Sequence, residues 1–187
     1  MIDFFLQDNE TSPSIIKSVV DYKLNLLDFG RSENMPLFLE KCPLSLKIII
    51  MKDLYFKHLL KFPLFENINT IFLEQLLATM KREIFFSGQA IVEQFDVDHR
   101  MYFIHKGEVY VIKEQDYMET VIGIRKSGEY FGESSGLWFS IPHEFTYRAR
   151  TLVEVLVLCS DDWMDLRRCF PKTSAEILSK AQSLGLI

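Results

Sequence analysis

Cysteine is too scarce here to frame a fold. The 187 residues include three, Cys42, Cys159 and Cys169. The odd count and the lack of any metal-type spacing argue against a disulfide framework and leave ordinary thiols of a reducing compartment. Basic excess is missing as well: 21 Lys and Arg against 26 Asp and Glu give a net charge of −5, with a pI near 5.4. Such a balance argues against nucleic acid and anionic membrane surfaces as partners. No apolar run approaches the ~20 residues of a membrane span; Lys47 and Lys52 bracket the longest candidate, Ile48 to Met51. The opening MIDFFLQDNE lacks the basic start and long apolar stretch of a secretory signal. The expectation is a soluble cytosolic protein, or a cytosolic-side part of something larger. Internal repeats and low-complexity segments are also absent.

Catalytic constellations are equally scarce. His58, His99, His105 and His143 are scattered, with no two at metal-ligand spacing, so no metal site is expected. Ser134-Ser135 follows Gly-Glu but does not form a G-x-S-x-G elbow. Asp161-Asp162 reads as a helix start, not a catalytic dyad. Tyr102, Phe103, Tyr110 and Tyr117 read as strand core, since a nucleic-acid stacking platform would sit in a basic surface. No enzyme is expected.

A hydrophobic fraction of 48% is enough for one domain with a core plus an appendage. Ser12-Pro13 starts a helix that continues through Ile15, Ile16, Val19, Val20, Leu24 and Leu27 to a stop at Gly30. A short segment, Met35 to Lys41, leads to Cys42-Pro43, and a second helix runs from Leu44 to about Leu60. Its apolar positions Leu46, Ile49, Ile50, Leu54 and Leu60 form a broad stripe. Asn69 or Thr70 caps a helix to Met80, with Ile71, Phe72, Leu76 and Leu77 inward. From Arg82 the period switches to that of strands: 83–86, 90–94, 101–105, 109–113, 120–125, 145–150 and 154–158, together with a short strand end at Tyr130-Phe131. Ser160 caps a helix carrying Trp163, Leu166 and Phe170, which Pro171 stops; Lys172 to Leu184 forms the last. Helices around many short strands with Gly turns indicate an α+β protein built on an eight-stranded β-roll, or jelly roll.

The segment from Gly128 to Thr151, GEYFGESSGLWFSIPHEFTYRART, stands apart. A strand end, a tight glycine turn, one helical turn, a Pro142-His143 corner and a second strand bring backbone N–H groups together. Such nests hold anions without a dedicated base. Gly128, Phe131, Gly132, Glu133, Pro142, Thr146 and Ala149 match the phosphate cassette of cyclic-nucleotide-binding domains, and the segment resembles that cassette. Further matches extend the resemblance over residues 62–187. They are Phe62-Pro63-Leu64-Phe65, the Ser87-Gly88 turn, Met101-Tyr102-Phe103-Ile104 with Gly107, and Leu158-Cys159-Ser160-Asp161-Asp162-Trp163 with Phe170-Pro171. Within residues 1–61, Cys42-Pro43-Leu44-Ser45-Leu46-Lys47-Ile48 resembles the elbow of the C-linker in cyclic-nucleotide-gated, hyperpolarisation-activated and ether-à-go-go-type channels. There the linker joins pore to binding domain and assembles as a four-subunit ring.

The resemblance implies a ligand, cAMP or cGMP, and no cofactor. It places Phe131, Gly132, Glu133, Ser134, Ser135, His143, Glu144, Thr146 and Leu184 around that ligand. Glu133 takes the ribose hydroxyl, Gly132, Ser134 and Ser135 line the phosphate, and Leu184 falls where the last helix offers a basic group over the base. Two positions depart from the pattern. His143 stands where the family has its phosphate-binding Arg, and Glu144 follows it. An Arg offers a permanent charge and two parallel donors; an imidazole is mostly neutral at pH 7. Losing one charge-assisted hydrogen bond costs ~1.5–3 kcal/mol, a roughly ten- to hundredfold loss of affinity. Arg148 and Arg150, past the corner, read as solvated strand charges.

The resemblance therefore implies a regulatory domain of a cation channel or related transporter, with weak or absent nucleotide binding, or binding through protonated His143 at mildly acidic pH. Its partners would be other channel subunits, met through the linker as a homotetramer, with the membrane reached only through a parent region. The alternatives are a functional cAMP- or cGMP-gated domain, or a soluble kinase-regulatory-type protein. A DNA-binding regulator would need a helix-turn-helix after the last helix.

Overall fold

The computed structural model describes residues 43–116, 118–137 and 141–184. All of them belong to the compact unit Cys42–Ile187. The expected helix from Ser12 to Gly30 and the segment Met35 to Lys41 lie outside the described residues.

Eight strands form the body: β1 (Lys81–Phe85), β2 (Ala90–Val92), β3 (Arg100–Lys106), β4 (Glu108–Gln115), β5 (Met118–Lys126), β6 (Tyr130–Phe131), β7 (Thr146–Ala149) and β8 (Val153–Cys159). They make two four-stranded sheets, ordered β1-β8-β3-β6 and β2-β7-β4-β5, with every pairing antiparallel. This is the α+β roll the sequence implies. The core between the sheets is built by alternation. Val153, Val155 and Val157 of β8 face inward with Tyr102 and Ile104 of β3, Val109 and Val111 of β4, and Ala149 of β7.

The central strands are buried on both faces, which is why β3 reads as an unbroken apolar run. Met101, Tyr102, Phe103 and Ile104 are fully buried. Tyr102 and Ile104 enter the roll, while Phe103 turns the other way, onto Phe62 and Phe65 at ring distances of 5.0 and 5.3 Å. Those two rings belong to the 3₁₀ turn Pro63–Phe65 and its N-cap Phe62.

Helix α1 (Leu44–Leu59) buries only Met51, Tyr55 and Leu59, one residue per turn on a single line. The buried line is not the stripe expected from the sequence. Leu46, Ile49, Leu54 and Leu60 are exposed, because a helix apolar on most of its circumference does not tell which line will face the body. Helix α2 (Thr70–Thr79) starts as expected, with the Asn69 side chain accepting from the Ile71 N–H at 2.8 Å. Phe72, Leu73, Leu76 and Leu77 are buried, whereas Ile71, expected inward, is exposed. It precedes the buried i, i+1, i+4, i+5 line and lies off it.

The short α3 (Glu133–Leu137) follows β6. Helix α4 (Ser160–Cys169) carries Asp161 and Asp162 in its first turn, where the helix dipole favours them. Its N-cap is Cys159, not the expected Ser160, and no side-chain cap bond forms. The Ser160 N–H instead donates to the His99 carbonyl at 2.9 Å, which fixes the helix start to the β2–β3 loop. Trp163 and Leu166 are buried, and Phe72 meets Trp163 edge-on at 6.3 Å. Helix α5 (Pro171–Ser183) begins with Pro at its first position, as proline's fixed φ allows. Among the described residues no helix is long and apolar enough to cross a membrane, and no group of three metal-ligating side chains occurs.

Candidate functional site

The cassette begins where β6 ends. Gly132 sits at φ +78°, and a Cβ there would lie 2.7 Å from the Arg100 carbonyl and 3.0 Å from His143 Cε1. Only glycine satisfies both the left-handed backbone and that approach. Gly136 has the same closeness for another reason: a Cβ would lie 2.7 Å from the Met101 backbone N and Cβ. The single turn of α3 therefore lies directly on β3.

Glu133 opens that turn. Burial raises its carboxyl above the ordinary value, against its own backbone hydrogen bond and the pull of Arg125 and His143. One oxygen, Oε2, is buried without a protein partner, and so is the hydroxyl of Ser135. Buried polar atoms are rarely left unpaired. Ser134 is half-buried beside them.

At the corner, His143 is held from both sides of its backbone. Its N–H donates to the Asp96 carbonyl at 2.9 Å, and its carbonyl accepts from the Phe95 N–H at 2.8 Å. Phe95, an exposed aromatic at φ +73°, shows that this loop holds a costly backbone geometry. The imidazole is buried and its Nε2 lies 2.7 Å from Asp98 Oδ1. Burial opposes ionisation of Asp98, but hydrogen bonds from His143 and Tyr102 outweigh it and hold the carboxyl at about 2. Asp98 is thus an acceptor only, and the His143 Nε2–H donates. Tyr102 donates to Asp98 Oδ2 at 2.5 Å, and the Arg100 Nε at 3.2 Å. A ligand that needed the His143 ring would compete with this carboxylate.

The remaining expected site residues are placed as follows. Phe131 is buried, its ring stacked between Tyr102 at 4.9 Å and Tyr147 at 4.2 Å. Thr146 is fully buried and spends its hydroxyl on structure, accepting from the Gln94 N–H at 2.8 Å and donating to Glu114 at 3.0 Å. Glu144 is exposed. Leu184 forms the C-cap of α5 and is exposed. Phe131, Gly132, Glu133 and His143 are brought together; Thr146 instead ties β7 to β4 and to the loop that follows β2. Arg148 makes a two-pronged bridge to Glu119 at 2.6 and 2.7 Å, and Arg150 bonds Glu108 at 2.8 Å. Both arginines are strand-to-strand ties.

Asp98 and Tyr147 carry no signal in the cassette itself. Asp98 reads as turn, although Asp98, Arg100 and Tyr102 recur at strand spacing just before and within β3. Tyr147 reads as one more alternating strand residue.

A β-roll with a glycine-kinked turn and a buried glutamate is thus in place around the corner. Residues 82–168 match the family model of the cyclic nucleotide-binding domain. The chain is 28% identical over 156 residues to Potassium channel SKOR of Arabidopsis thaliana, covering 82% of this chain and 18% of that protein. It is 29% identical over 143 residues to Potassium channel KOR1 of Oryza sativa subsp. japonica, covering 75% and 16%. It is 30% identical over 97 residues to Cyclic nucleotide-gated channel beta-3 of Mus musculus, covering 52% and 14%. The chain spans less than a fifth of the length of these relatives.

Proposed function

We propose that this domain regulates a cation channel, or a related transporter, from the cytosolic side, and that its cassette binds cAMP and cGMP weakly or not at all. The observation that carries the reading is the corner. It lacks an arginine, and the histidine in that place is 2.7 Å from Asp98. Exposed Glu144 follows it and adds negative charge where a phosphate would need positive. The arginines of β7 and its end, Arg148 and Arg150, are committed to Glu119 and Glu108. Residues 1–61 act in this reading as a linker-like segment that meets other subunits, and the domain contributes assembly or coupling to a parent pore.

A second reading has one observation in its favour. The unpartnered Glu133 Oε2 and Ser135 hydroxyl are suited to a ligand hydroxyl and a ligand oxygen, as a working cyclic-nucleotide site would require.

Backbone amide NMR separates the two. With cAMP raised to millimolar concentration, the first reading predicts absent or small fast-exchange shifts at Gly132, Ser134 and Ser135. Slow-exchange shifts that saturate at stoichiometric ligand would favour the second.

A further inference from the structure

Three rings stack through the roll beside the cassette. Tyr102 lies on Phe131 at 4.9 Å and 11°, and Phe131 lies on Tyr147 at 4.2 Å and 14°. The column crosses from the sheet that holds β3 and β6 to the one that holds β7. Exposure rises along it: Tyr102 0%, Phe131 1%, Tyr147 9%. Tyr147 is therefore the outer end of the column. Its surroundings belong to the cassette. The His143 ring stands edge-on to it at 6.4 Å. Burial first, then Glu133, pushes the phenol up to about 12, with Arg125 opposing.

We propose that Tyr147 is an internal stopper: its ring occupies space between Phe131 and His143 that a cyclic nucleotide would have to enter. The inference rests on the weak-binding reading and adds to it. The corner removes a grip on the phosphate, whereas Tyr147 removes room. The two effects act on different parts of the ligand, so restoring room recovers affinity without any new cation. Tyr147 is the least buried ring of the column, so shortening it is expected to leave the Tyr102–Phe131 pair beneath it in place. A short β-branched side chain also suits a strand position.

The test is calorimetric titration of cAMP and cGMP into the parent chain, Tyr147→Val and Tyr147→Phe. The expected result is weak binding by the parent, the same by Y147F, which keeps the ring, and at least tenfold tighter binding by Y147V. Weak binding by the parent with no gain in folded Y147V overturns the stopper and leaves the weak-binding reading intact. Tight binding by the parent overturns that reading and the stopper with it. A gain in Y147F equal to that in Y147V also counts against the stopper, since the hydroxyl rather than the ring would then be the obstacle. Should Y147V lose its dispersed amide spectrum, Tyr147→Leu takes its place, with the same expected gain. Failure of both to fold overturns the proposal by showing Tyr147 to be an indispensable core residue.

Discussion

Removing Arg82 leaves a buried carboxylate without its strongest partner. Because Val153, Val155 and Val157 take the inner face of β8, Glu154 must point outward, under α1. It is buried there, accepting from Arg82 Nε at 2.7 Å and from the Tyr55 hydroxyl at 3.3 Å. His105 Nε2 lies 3.8 Å from Oε1, and Lys106 Nζ lies 3.7 Å from Oε2. Burial pushes the carboxyl up, yet Arg82, with His105 and Lys106, holds it below its ordinary value. Breaking a buried ion pair by truncating one side costs ~3–5 kcal/mol. The carboxyl's alternative is to take a proton. At pH 7, starting from its ordinary 4.5, that costs ~3 kcal/mol at 1.36 kcal/mol for each pH unit. Since Tyr55 and Lys106 remain beside it, Arg82→Met is expected to lose ~3 kcal/mol. With a urea slope near 2 kcal/mol/M, the midpoint falls by about 1.5 M. Urea unfolding followed by circular dichroism measures this. R82M/E154L, which replaces both charges with apolar bulk, should recover at least half of the loss. An R82M midpoint within about 0.3 M of the parent, or a double variant no better than R82M, would refute the reasoning.

Asp98 lies at about 2 in the folded protein against an ordinary 3.8, so it contributes ~2 kcal/mol that is present above about pH 4 and lost as pH falls towards 2; Asp98→Asn should flatten that acid limb of the stability curve. His58 and His105 stack edge-on at 4.3 Å, and burial holds both below 6.5. Lys61 and Lys106 add to this at His58; His58, Lys106 and Arg82 add to it at His105, while Glu154 opposes at both. Lowered histidines contribute stability that is full above about pH 6.5 and declines below it, and His105→Gln should shallow that decline in pH-dependent thermal melts. Gly132→Ala forces a side chain at φ +78° against the Arg100 carbonyl; a loss of at least ~2 kcal/mol in chemical denaturation is expected, above the strain of the left-handed backbone alone.

The roll was legible because its strands alternate and its turns carry glycine. Even the two-residue β6 showed as Tyr130-Phe131 before Gly132. What the residues left open was choice among equivalent faces. On α1 the apolar positions run nearly round the helix, and only contact with the body selected Met51, Tyr55 and Leu59. At the cassette, the sequence could mark His143 as a departure but not where its ring would turn. That direction is set by Asp98, 45 residues earlier, through a loop whose backbone is tied to the corner at residues 95 and 96. Pairings at such separation leave no periodic trace. Glu154 is the same case: Arg82 and Tyr55 reach it from 72 and 99 residues away. Thr146 was expected at the ligand, but its hydroxyl is drawn into Gln94 and Glu114 by strand register.

The dissociation constant of cAMP for the unmodified chain at pH 7.5, by isothermal titration calorimetry, bears most directly on the cassette. With no arginine at the corner, binding weaker than ~100 µM is predicted. A constant of about 1 µM, a gap of some 2.7 kcal/mol, would contradict the account.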